Sequence, residues 1–517
     1  MHFVLRALPI YVFRSLLPIL SVMAVSGCSS LVPEPLTTSE LVAGTSSDRE
    51  RNYKDVPALN GPLTLEEAIA RSVKYNLDRR SRMMEEALSV SQFEVSKFDL
   101  LPKVVASAGY RDRNKELISR SKDSVTGLPS LANPSISSDR DVATTDLSFT
   151  WSLLDFGQSY YVSKQNADRA LIAGERRRKA LHNLIQDVRT AFWRTACAQK
   201  LHGEIQTTLN EAEQALNDSR AIEAERLRSP IDALRYQRQL LENLRLLESI
   251  EQELSTAKVE LASLTNLPLA QSVSVVEPDN VMDNSRWLGI PVERMEEQAI
   301  LSNADVRESF YNTRIASLET RRALLKLFPG ISFSYSAKAS DDSYLIHQHW
   351  TEAGAQLSLN LLGLLSAPSQ MRLADAGVAL SDQRRMATQM AVLAQVHVAR
   401  LQYGNAVRQF DRADAIWKVD SGIADHVTKR EQVQTQTRLD RVSNQTAAIL
   451  SQLRRYHALS QVQAAAGKLQ ATLGLEASLA GSDDMSLTQL TEMVAAAMRQ
   501  WNAGALDAQM PAAASSQ

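Results

Sequence analysis

"ISFSYSAK", residues 331–338, alternates without a break. Ile331, Phe333, Tyr335 and Ala337 point to one side of an extended chain; Ser332, Ser334, Ser336 and Lys338 point to the other. A strand with one apolar face and one hydroxyl-lined face has two possible homes. It can lie in a soluble sheet packed on helices, or in a transmembrane β-barrel with lipid outside and water inside.

Three more segments carry the pattern. Val104, Ala106, Ala108 and Tyr110 alternate with Val105, Ser107 and Gly109. Leu147, Phe149, Trp151 and Leu153 alternate with Asp146, Ser148, Thr150 and Ser152. Leu357, Leu359 and Leu361 alternate with Gln356, Ser358 and Asn360. The spacing predicts strands at about 102–111, 145–154, 329–339 and 354–362, joined by a long polar loop (111–145) and a short one (340–355). Four strands cannot enclose an aqueous pore, because even about eight leave an interior filled by side chains. Open sheet edges are not tolerated in hydrocarbon. Strands that span a membrane must therefore be pooled from several chains, and three copies of four make a twelve-stranded wall.

The rest of the chain is helical in composition. It has 517 residues, a net charge of −2, 44% hydrophobic and only 6% aromatic residues. Nothing in that balance points to nucleic acid. No internal apolar run reaches the roughly 18 residues of a spanning helix. At the N-terminus, Arg6 and Arg14 precede the apolar run 16–25, and "VSGCSS" follows. The small residues before Cys28 resemble a bacterial lipobox, which implies cleavage and lipid (palmitate) attachment at Cys28. Ser29 in the next position fits sorting to the outer membrane. Cys197 then has no partner for an intrachain disulfide.

Two copies of one plan run along the chain. "LLPKVVASAGY" (100–110) answers "LFPGISFSYSA" (327–337), and "NLDRR" (76–80) answers "NADVR" (303–307). "WSLLDFGQS" (151–159) corresponds to "LSLNLLGLL" (357–365), and "SPIDAL" (229–234) to "TRLDRV" (437–442). The terminators "ASLTNL" (262–267) and "QATLGL" (470–475) match as well. This divides the chain into a signal peptide (1–27), a lipidated extended segment (28–62), a first repeat (63–267), an equatorial linker (268–291), a second repeat (292–475), and an equatorial segment with a disordered tail (476–517).

Helix lengths follow from the same alignment. Leu181, Val188, Leu209 and Leu216 share one seven-residue column, interrupted by Thr195 and His202; Leu184, Ala191, Ala198, Ile205 and Ala212 share another. Such columns predict left-handed coiled packing. The helix from about 159 to 228 would run roughly 105 Å, and the segments at about 63–99 and 231–267, stacked end to end, would match it. Pro230 suits the first turn of the later one.

No G-x-S-x-G, P-loop, H-E-x-x-H or Cys/His cluster is present, so no catalysis, cofactor or metal is expected. His347 and His349 lack a third ligand nearby, and Glu66 and Glu67 suit a helix N-terminus.

In duplicate and in order, "LTLEEAIARSVKYNLD" (63–78), the Leu-Pro entry to each strand pair, "WSLLDFGQS", "S-x-I-D-x-L" and "LGL" resemble the TolC-like outer-membrane factors, in particular the lipoprotein branch of efflux channels. The resemblance implies a mostly α fold: a homotrimer with a twelve-stranded transmembrane β-barrel continued by a twelve-helix periplasmic tunnel. It also implies passive conduction as the exit duct of a tripartite system, with a periplasmic adaptor and an inner-membrane RND or ABC transporter as partners. Family members close the periplasmic tip with a Tyr, an Arg and two Asp residues. On "EQVQTQTRLDRVSNQ" (431–445) only Asp440 survives; Glu431, Gln436 and Ser443 occupy the other positions. Asp440 and its first-copy counterpart Asp232 are the aperture candidates, as carboxylate rings that would select cations. Arg228, Ser229, Thr437 and Arg438 are the candidate adaptor contacts at the tip. Two other functions stay open: an exit duct for type I protein secretion or polysaccharide export, and a periplasmic coiled-coil lipoprotein that forms no pore.

Overall fold

The computed structural model describes residues 34–129, 133–224, 230–269, 271, 273–276, 285–433, 437–475 and 484–502. Cys28 and the signal segment lie outside them. The chain divides into two units, residues 1–57 and 58–517. The first contains the helix α1 (Thr38–Tyr53), in a stretch expected to be extended. A reciprocal cap explains it: Thr37 Oγ1 accepts from the Glu40 N–H, and the Glu40 carboxylate accepts from the Thr37 N–H at 2.8 Å.

In the second unit, α2 (Leu65–Tyr75) and α3 (Leu77–Phe98) lead to β1 (Lys103–Asp112). The short pair β2 (Ile118–Ser119) and β3 (Ser135–Ile136) precedes β4 (Asp141–Ser152). Next come α4 (Leu153–Ala224), α5 (Pro230–Leu264) and α6 (Ser285–Leu288). After α7 (Val292–Ser302) and α8 (Ala304–Leu325), the strands β5 (Gly330–Ser340) and β6 (His349–Ser358) return the chain to α9 (Leu361–Gln432). It ends in α10 (Arg438–Thr472) and α11 (Leu487–Asn502). Helix lengths recur: α2 and α7 have 11 residues each, α3 and α8 have 22, α4 and α9 have 72, α5 and α10 have 35.

Each helix expected before a strand pair is broken by one asparagine. Asn76 leaves helical geometry (φ −62°, ψ 129°), closes α2 through its N–H to the Ser72 carbonyl, and caps α3 by accepting from the Arg79 N–H. Asn303 (φ −66°, ψ 132°) does the same between α7 and α8. Both amides also reach another helix: Asn76 Nδ2 donates to the Leu264 carbonyl, and Asn303 Nδ2 to the Thr472 carbonyl. The end of α5 thereby meets the start of α3, and the end of α10 meets the start of α8. The helix α4 packs along both α3 and α5, and α9 along both α8 and α10.

The core lies along the helices. Leu201, Ile205, Leu209 and Leu216 of α4 pack against Leu240, Leu244 and Leu247 of α5 and Val442 and Ile449 of α10. Thr195 is buried with its hydroxyl on the Ala191 and Ala257 carbonyls, whereas His202, expected in the same column, is exposed. Higher up, α11 packs on α2 and α4, and Leu63 bridges to Val275.

Candidate functional site

The four long strands form one antiparallel sheet in the order β1-β4-β5-β6, leaving β1 and β6 as open edges. The register puts Val104 opposite Phe149, Phe149 opposite Tyr335 and Tyr335 opposite Ala353. Three rungs on, Ser107 faces Asp146, Asp146 faces Lys338, and Lys338 faces Trp350. Every apolar set therefore shares one side and the hydroxyls and charges share the other.

Exposure runs opposite to that of a soluble sheet. In the two inner strands Leu147 is 53% exposed and Tyr335 52%, whereas Ser336 on the polar side is 9% exposed; the edge strands β1 and β6 are open along nearly their whole length. Among the described residues no helical layer covers either face; the sheet's main helix contact is with α4, which leads directly out of β4. On the polar side, Lys338 Nζ donates to Glu352 Oε2 at 2.6 Å and Trp350 Nε1 to Glu352 Oε1 at 2.7 Å.

Strand ends differ from expectation. The strand predicted at 354–362 is β6, which begins five residues earlier and ends four earlier. Asn360 ends it by accepting from the Gly363 N–H, so the Leu359 and Leu361 alternation belongs to a helix start rather than a sheet face. Ser152 likewise accepts from the Asp155 N–H and starts α4 where strand was expected to reach 154. His349 opens β6, and His347 precedes it. At the opposite end of the sheet from the long helices, the two inter-strand loops are fastened to each other. Ser138 Oγ donates to Asp342 Oδ2 at 2.9 Å, and Ser343 Oγ to Asp139 Oδ1 at 2.9 Å.

Helices continue the strand order: α3 packs on α4, α4 on α8, and α8 on α9. The α4–α8 seam is ionic. Arg314 donates to Asp168, with Nε to Oδ2 at 2.9 Å; Arg307 Nε meets Glu175 Oε1 at 2.6 Å, and Lys179 meets Asp305 at 2.8 Å. Asp168 and Glu175 are almost fully enclosed. The two outer helices of this row, α3 and α9, instead expose Met84, Leu88 and Val95, and Leu373 and Leu380. Sequence reading missed this seam, although Asp168 and Glu175, and Arg307 and Arg314, are each seven apart.

At the tip, Asp440 is bound within its own helix start. Its Oδ2 accepts from Thr437 Oγ1 at 2.7 Å and from the Thr437 N–H at 3.1 Å, closing a capping box on α10. The neighbouring arginines do not pair with it. Arg438 reaches Asp218 at 2.9 Å and Gln214 at 2.7 Å; Arg441 reaches Glu211 at 2.7 Å and Glu431 at 3.7 Å. Ser443 accepts from Asn243 Nδ2 at 3.3 Å. The start of α10 is thus tied to α4, α5 and α9. Arg228, Ser229 and Gln436 lie outside the described residues, as does the side chain of Asp232.

No helix among the described residues is long and apolar enough to cross a membrane. No family model and no curated protein matches the sequence. Solved structures do match the fold. The Campylobacter jejuni CmeC outer membrane channel superposes with a TM-score of 0.64 at 12% identity, covering 83% of this chain and 89% of that one. A membrane protein from Pseudomonas aeruginosa gives 0.62 at 15% identity, covering 82% and 92%. The Vibrio cholerae outer membrane protein VceC gives 0.59 at 14% identity, covering 79% and 96%.

Proposed function

We propose that this chain, which has the fold of the TolC-like outer-membrane channels, is the exit duct of a tripartite efflux system and not an enzyme. Three copies join β6 of one to β1 of the next, which satisfies both open edges and closes twelve strands around water. Strands of 10 to 12 residues are long enough to cross a bilayer when tilted. The long helices extend the wall into the periplasm for about 108 Å. The recurring helix lengths support two repeats of one ancestral unit.

The single observation that carries this reading is the inverted sheet. Uncovered leucine, valine and tyrosine on the outside would be an aggregation surface in water but are the required surface in lipid. A soluble coiled-coil lipoprotein has no use for it. Cys28 anchors the N-terminus by lipid, the tip meets a periplasmic adaptor, and an RND or ABC transporter in the inner membrane supplies the energy.

Purified protein tested in planar bilayers decides the matter. The expected result is a heat-modifiable trimer with discrete conductance steps and incorporation of labelled palmitate. A detergent-independent monomer without conductance would sink the proposal.

A further inference from the structure

Arg189 of α4 is enclosed, at 1% exposure, against α10 and α11. Its Nη1 reaches Gln470 Oε1 at 3.4 Å, and its guanidinium lies 5.8 Å from the Trp501 ring centroid. Its Nε and Nη2 have no hydrogen-bond partner among the described residues. Two more enclosed N–H groups lack an acceptor: Gln470 Nε2, and the indole Nε1 of Trp193, one turn along the same face of α4.

Two features point to a missing ligand rather than to loose packing. Every unmatched group is a donor, so an acceptor is what the site lacks. The charge also persists: burial lowers the Arg189 pKa only to about 10, which leaves a cation at neutral pH. An enclosed cation without a counter-charge is costly, and proteins pair such groups. Gly467 of α10 sits opposite. A helix-interior glycine costs about 1 kcal/mol relative to alanine. Packing does not demand it, since an added Cβ would lie 3.8 Å from Arg189 Nη1, an ordinary contact. Its missing side chain leaves space beside the guanidinium.

We propose that Arg189 and Gln470 bind a small monovalent anion, a halide such as chloride, between α4 and α10. The anion supplies the absent acceptor and joins two helices that belong to different halves of the chain. Trp501 closes the site from α11 through its ring. The inference is independent of whether the protein conducts.

The test uses the purified full-length protein in detergent at constant ionic strength. Unfolding midpoints are compared in sodium chloride, bromide and gluconate. Halides at about ten times the dissociation constant should raise the midpoint by about 2 °C over gluconate. The rise should vanish in Arg189→Met. Should that variant fail to fold, Gly467→Ala, which fills the space with an ordinary contact, should reduce the rise by itself. Crystals soaked in bromide should show an anomalous peak within hydrogen-bond reach of Arg189. Equal midpoints in all salts, or a water or one of the chain's own carboxylates beside the guanidinium, would overturn the assignment.

Discussion

The side-chain amide of Asn303 donates to the Thr472 carbonyl at 2.9 Å while its Oδ1 caps α8. One buried side chain thus starts a helix and fastens it to the end of another. Asn76 repeats the arrangement with Leu264. Asn303→Ala should cost about 2–3 kcal/mol, combining a lost cap with an unpaired carbonyl. Asn303→Asp keeps the cap and should cost less. Thermal unfolding of both variants checks the order.

Beside that joint, α5 and α10 end in the same way, with a left-handed residue. Asn266 has φ 53° and Gly474 φ 67°. A Cβ on Gly474 would lie 2.5 Å from the Ser302 carbonyl carbon and oxygen. Gly474→Ala should therefore destabilise by more than the roughly 1 kcal/mol of backbone strain. Asn266→Gly should change the unfolding midpoint little.

In the α4–α8 seam, exposure ranks the ion pairs. The side chain of Asp168 is 5% exposed and that of Glu308 22%. Arg314→Ala strands an enclosed carboxylate and should cost about 3 kcal/mol. Arg176→Ala removes the partner of Glu308 and should cost less than about 1 kcal/mol. If chemical denaturation gave equal losses, the seam would be solvated.

Tip charge and tip bonding can be separated by substitution. As a hypothesis, Asp440→Asn, which removes the charge and retains an acceptor for Thr437, should lower cation selectivity in bilayer recordings. Arg441→Ala cuts the ties to Glu211 and Glu431 and should raise the open fraction or the conductance. Unchanged selectivity in the first variant would move the aperture away from Asp440.

Acid should loosen the α9–α10 pair. Asp414 is held between Lys418 at 2.7 Å and Arg455 at 2.5 Å, and Arg455 stacks 4.8 Å from the Trp417 ring. Burial pushes the Asp414 carboxyl up, but its bonds to Lys418 and Arg455 outweigh that and hold it below the ordinary 3.8. A depressed folded-state value means stabilisation that is complete above that ordinary value and is lost as pH falls through the lower one. Stability should therefore drop below about pH 4, less steeply in Asp414→Asn, as measured by urea midpoints across pH.

Much of this was legible in one dimension. Alternation at 331–338 and in its three companions requires a two-faced sheet, because side chains on a strand alternate whatever surrounds it. Apolar columns at seven-residue spacing require packed helices of great length, and Pro230 lands at the start of α5. Those inferences depend only on local geometry. Other features depended on competition between neighbouring residues. Leu359 and Leu361 continue the strand alternation, but the Asn360 cap makes them part of a helical entry. Asn76 and Asn303 split two helices that periodicity alone would have run together.

Residue order thus determined the two-faced strands and the long helices that follow them. Only the tertiary structure decided which face is uncovered, since exposure is a property of what packs nearby and not of a pattern. It also decided the fate of charged residues more than a hundred positions apart: Arg314 met Asp168 and Arg441 met Glu211. Charges choose partners by distance in space, and that distance exists only once the chain has folded.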